Sequence, residues 1–97
     1  MPPEEREKLM RYGALVLERD TASRLVFARR KLDEFERKYG MALERLNEVG
    51  LPEDAGLGEH EDYVEWSGWQ TTFDEATAIL NNLRVIIETT DAGYPVR

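Results

Sequence analysis

One histidine, two serines and scattered carboxylates are the main groups that this 97-residue chain offers for chemistry. His60 lies among Glu59, Glu61 and Asp62, and an imidazole beside carboxylates could hold a metal. Transition-metal sites generally draw on a second histidine or on thiolates, and the chain has neither. An exposed histidine in an acidic loop is the plainer reading. Ser23 and Ser67 have no arrangement around them that suggests a histidine-based triad. Without cysteine there is no thiolate nucleophile and no disulfide, which fits a reducing compartment. Paired carboxylates alone are too common to signify glycosidase chemistry. Gly56-Leu57-Gly58 lacks the preceding strand and the third glycine of a dinucleotide-binding turn. The inventory predicts a non-enzyme with no metal and no cofactor.

Binding chemistry is better supplied. In HEDYVEWSGWQTTF (60–73), Tyr63, Trp66, Trp69 and Phe73 are interleaved with Glu61, Asp62 and Glu65. Tryptophan and tyrosine are frequent interface anchors, and acids around them can steer a basic partner. The same aromatics also recur at helical spacing, which is how a core-facing seam reads. A small-molecule clamp would need polar groups converging on one pocket, and this face offers none. The candidate partner-binding set is Glu59, Glu61, Asp62, Tyr63, Glu65, Trp66, Trp69 and Phe73.

The elements that position these residues follow from periodicity. Tyr63, Trp66, Trp69, Phe73, Ala76, Leu80, Leu83 and Ile87 recur at three and four residues and predict a helix over 62–90. Asp62 with Glu65 resembles a capping box at its start. Ser67-Gly68 could kink this helix and Thr72 with Glu75 could cap a restart. The segment RVIIETT is β-branched and open to a strand reading, although the unbroken seam favours helix. Upstream, Leu25, Ala28, Leu32, Phe35 and Tyr39 form a second seam, backed by pairs such as Arg29–Asp33 on the outer face. Pro3 with Glu4 and Glu5 suits a helix opening, so a helix over 3–39 is expected, breakable near Gly13. Residues 4–20 could instead form a separate helix or, at YGALVLE, a strand. Extended backwards, the seam reaches Glu18, which should not be buried. Gly40 suits a left-handed cap. A short helix over 41–49 with Met41, Ala42, Leu46 and Val49 on one side, an acidic loop over 50–61 and a loose tail over 91–97 complete the reading.

The expected fold is therefore all-α: one domain built as an antiparallel helical hairpin. Two tryptophans carry more apolar surface than one facing helix covers, so the short helix, a second copy or another protein should close over them. A homo-oligomer or hetero-complex is expected on that ground. The net charge of −7 is unevenly placed: residues 1–45 carry +2 and residues 46–97 carry −9, with no lysine or arginine between Arg45 and Arg84. An acidic half argues against nucleic-acid binding by this chain alone. No apolar run approaches the ~20 residues of a membrane span, and the N-terminus lacks a signal peptide's apolar stretch. A cytoplasmic protein with no membrane association is expected.

FERKYGM (35–41) and EDYVEW (61–66), joined by a short helix and an acidic connector, resemble small proteins encoded beside TumE-family toxins and taken to be their antitoxins. The likeness covers roughly residues 25–85. It departs at ALERLNEVG, where the family generally has a serine-, glutamate- and phenylalanine-rich helix. The resemblance implies that the chain binds and neutralises a cognate, basic, RNA-targeting toxin. Two rival readings stand beside it: an acidic, nucleic-acid-mimicking inhibitor of another enzyme, and a structural oligomerisation module.

Overall fold

The computed structural model describes the backbone of residues 2–91 and the side chains of residues 2–86. Three helices follow one another: α1 (Pro3–Tyr39), α2 (Leu43–Val49) and α3 (Leu57–Asp91). The described residues form no strand, so RVIIETT is helical and so is the whole of 4–20. Helices α1 and α3 run antiparallel, with Lys38 beside Asp62 at one end and Glu18 beside Arg84 towards the other. The product is a rod of 64 × 21 × 18 Å. The all-α hairpin is the observed fold. Of the expected tail, residues 92–97 lie outside the described residues, as do the side chain of Ile87 and the end of its seam.

The boundaries of α1 have local causes. Pro3 occupies the first turn with Glu4 and Glu5 behind it, where a fixed φ and negative charge suit the positive end of the helix dipole. At the far end Gly40 takes φ 70°, and its N–H donates to the Glu36 carbonyl at 2.8 Å. That left-handed cap is the position where glycine has no Cβ penalty. Gly13 does not break the helix. It costs roughly 1 kcal/mol against alanine, too little to stop propagation through good helix formers on both sides.

Both apolar seams face inward. On α1, Ala28, Leu32 and Phe35 are buried and Leu25 and Tyr39 half-buried; on α3, Trp66, Ala76, Leu80 and Leu83 are buried. The α1 seam runs further back than expected, through Thr21 to Ala14, both buried. These positions lie seven apart with Ala28 and Phe35, the repeat of a narrow coiled-coil-like contact. Glu18, which falls between them, turns to the margin of the seam and lies 3.9 Å from Arg84. The pair is partly exposed, so it contributes well under about 1 kcal/mol.

The core is concentrated at the loop end. Leu32, Phe35, Leu43, Leu46 and Trp66 form one buried cluster, with Met41, Leu51 and Tyr63 among the half-buried groups packed against it. Phe35 and Tyr39 both stack on the Trp66 ring, at 5.5 Å with interplanar angles of 14° and 24°. Each such pair adds about 0.5–1.5 kcal/mol beyond the area it buries.

Two expected boundaries shift, and each shift moves side chains. Helix α2 begins at Leu43 instead of 41, which turns Leu43 and Leu46 inward and leaves Ala42 and Val49 exposed. Helix α3 begins at Leu57, so the acidic connector shrinks to 50–56. Its start is capped by Glu59, whose Oε1 accepts from the Gly56 N–H at 2.9 Å. This is the reciprocal arm of a capping box with glycine in the cap position. Asp62 is therefore interior to α3 and is not its cap. The helix then runs through Ser67-Gly68 and Thr72 without interruption.

Candidate partner-binding surface

Helix α3 sorts the eight predicted residues onto different sides. Trp66 is fully buried and covered by its own chain, under Phe35 and Tyr39 and within reach of α2. It is a core residue and not a partner anchor. Of the three covers expected for the tryptophans, the short helix α2 is the one that closes over Trp66. Tyr63 is half-buried, and its hydroxyl donates to Asn47 Oδ1 at 2.6 Å, tying α3 to α2. Trp69 is half-buried, edge-on to Phe27 at 5.2 Å, with its Nε1–H donating to Glu65 at 3.3 Å. Phe73 is half-buried with the Arg29 guanidinium 5.9 Å above its ring. These three present edges to solvent and put most of their area into the hairpin.

Besides Glu65, which accepts from Trp69, two of the acids have internal work. Glu59 caps α3 through Gly56. Asp62 accepts from Lys38 Nζ and from the Tyr39 hydroxyl, each at 2.6 Å, and so latches the ends of α1 and α3 together. The Lys38 hydrogen bond and then that of Tyr39 hold the Asp62 carboxyl below the ordinary carboxylate range. In return the hydrogen bond to Asp62, and then burial, push the Tyr39 hydroxyl up to about 12.

Glu61 and Glu65 are exposed, and beside them on α3 lie two residues that the sequence reading did not single out. Leu57 is 74% exposed and Val64 is 70% exposed. With His60, Glu61 and Glu65 they line one shallow strip along the first turns of α3. Spacings of four and three residues (57, 61, 64) place them on one helix face. That face is turned away from the seam that carries Trp66. The signal for it was present in the spacing, but it became readable only with the start of α3 at Leu57. Large aliphatic side chains held this far into water between carboxylates suit contact with a surface that is both apolar and basic.

His60 lies on this strip, whereas Ser23 lines a groove on the outer side of α1. Among the described residues no group of three His, Asp or Glu side chains is placed to hold a metal ion. Nor is any helix among them long and apolar enough to cross a membrane. Comparison with protein-family models, with curated proteins and with solved structures finds no match.

Proposed function

We propose that this chain is an antitoxin-type protein that neutralises a cognate toxin by covering a basic surface with the outer strip of α3. The observation that carries the reading is the pair Leu57 and Val64, exposed on one strip with Glu61 and Glu65 in a stretch without lysine or arginine. An RNA-targeting toxin needs positive charge where it meets its substrate. An acidic strip with aliphatic side chains at its centre covers such a surface by two separable effects. The carboxylates accelerate encounter and respond to salt, while the aliphatic contacts set the lifetime. The likeness of FERKYGM and EDYVEW to antitoxins encoded beside TumE-family toxins supports the same reading, and such a role would be exercised in the cytoplasm.

The test is co-expression with a candidate toxin, sought first among the reading frames beside this one, followed by binding kinetics. Glu61→Gln with Glu65→Gln should slow association and flatten its salt dependence. Val64→Asp should leave the association rate within a few-fold and shorten the complex at least tenfold. Helix content, checked by circular dichroism, should be unchanged in both, because neither site enters the hairpin core. Wild-type kinetics in all variants would reduce the strip to a solubilising surface. An acidic inhibitor that mimics nucleic acid is the second reading, favoured by the same carboxylates. It predicts a nucleic-acid enzyme as partner and competition between this chain and that enzyme's substrate.

A further inference from the structure

The half of α1 furthest from the loop is apolar on more sides than α3 can cover. Leu9, Tyr12, Val16, Arg19, Ser23 and Val26 recur at three and four residues, and all are exposed. At 3.6 residues per turn this second stripe lies roughly opposite the seam that packs on α3. Three of its four apolar members are far out in water: Leu9 at 58%, Tyr12 at 68% and Val26 at 59%. A helix that is apolar on both faces is ordinarily covered on both.

The stripe is complementary to itself. In an antiparallel pair of α1 helices crossing near residues 17 and 18, Leu9 faces Val26 of the second copy and Tyr12 faces Ser23. In the same register the exposed Glu5 faces the exposed Arg30 at each end. The flanking Leu15 and half-buried Ala22 come within two residues of each other across the crossing. Nearest the crossing Val16 faces the aliphatic stem of Arg19, whose guanidinium stays at the solvent edge, and one rotation makes every contact twice, as a two-fold interface requires. We infer that two copies of this chain pair antiparallel through the outer face of α1, forming a bundle of four long helices.

The contact runs from Glu5 to Arg30, roughly 38 Å at 1.5 Å per residue and one helix wide. That belongs with the smaller interfaces, so association at micromolar concentration is expected and not nanomolar. The proposal stands apart from the acidic strip, which lies on the outer side of α3. Its failure would leave the neutralisation reading untouched. If both hold, the dimer carries two acidic strips.

Sedimentation of the full chain across roughly 1–300 µM tests it, a range bracketing a dissociation constant in the micromolar decade. The wild-type chain should pass from monomer to dimer within that range. Val16→Asp should weaken the dimer more than tenfold. Glu5→Arg and Arg30→Glu should each weaken it several-fold, by setting like charges opposite one another. The double variant E5R/R30E should recover most of the wild-type association, because the pair is restored with its sign reversed. That recovery is specific to a second copy in this register, and circular dichroism checks that every variant remains helical. A chain that stays monomeric throughout, leaving the stripe to its own last residues or to another protein, overturns the proposal. So does a dimer indifferent to these substitutions, or one that the double variant fails to restore.

Discussion

Thr21 occupies a seam position with no exposure, and its Oγ1 has no hydrogen-bond partner. A buried hydroxyl without a partner costs about 1–3 kcal/mol in lost hydration. Thr21→Val keeps the branched shape and replaces the hydroxyl by a methyl, so it should raise stability by about 1 kcal/mol in chemical denaturation. A loss of stability would mean that the hydroxyl is satisfied by water. The Asp62 latch gives a second prediction with a definite sign. Its folded-state carboxyl titrates below the ordinary range, so its stabilisation is present above that range and lost as pH falls through the lowered value. The Tyr39 phenol acts at the other limit: its contribution is full below its ordinary value of 10.0 and is lost as pH rises through about 12. Thermal unfolding should therefore be flat between those limits and fall on both sides. Asp62→Asn should lower the plateau and flatten the acid limb. The effect should be small, because Lys38 is largely in water and its ion pair is screened.

At the scale of the helices, glycine positions separate what is required from what is tolerated. Gly40 is required by its φ of 70°. Gly68 is helical, and a Cβ built there meets nothing within 4 Å. Gly68→Ala should therefore stabilise the protein by about 0.5–1 kcal/mol, read as a raised denaturation midpoint without a change in slope. A neutral or destabilising result would show that this part of α3 is less regular in solution. The seams were legible in the sequence because they repeat at three and four residues over many turns. Leu25 to Tyr39 and Tyr63 to Leu83 face inward as that spacing requires. The ends were not legible, for a physical reason. Glu59 caps Gly56 through a side-chain bond, so the helix begins at Leu57, between two glycines that propensity alone would read as connector. The same misplacement hid Leu57 and Val64 and gave Asp62 the wrong role. Helix α2 starts two residues later than its spacing suggests, which hides Leu43, whereas Leu46 was legible as an inward position; both help to cover Trp66. Short elements take their register from packing more than from local preference.

At the scale of the molecule, the hairpin is unevenly consolidated. The loop end holds the Trp66 cluster, the Tyr63–Asn47 bond and the Asp62 latch. Within α1, residues 3–13 are all exposed, and the first buried side chain is Ala14. Local stability should follow that gradient, since opening free energies track buried contacts more closely than helix content. Native-state amide exchange at low concentration should find the slowest amides between residues 28 and 39 and between 62 and 76. Residues 3–13 should exchange orders of magnitude faster despite their regular helical geometry. Raising the concentration should then slow exchange in α1 from about Leu9 to Val26 and change the loop end little, because mass action stabilises the surface that pairs. Uniform protection along α1 in dilute solution would mean that its first turns are held by contacts within the chain. In that case the gradient, and the marginal open end it implies, would be wrong.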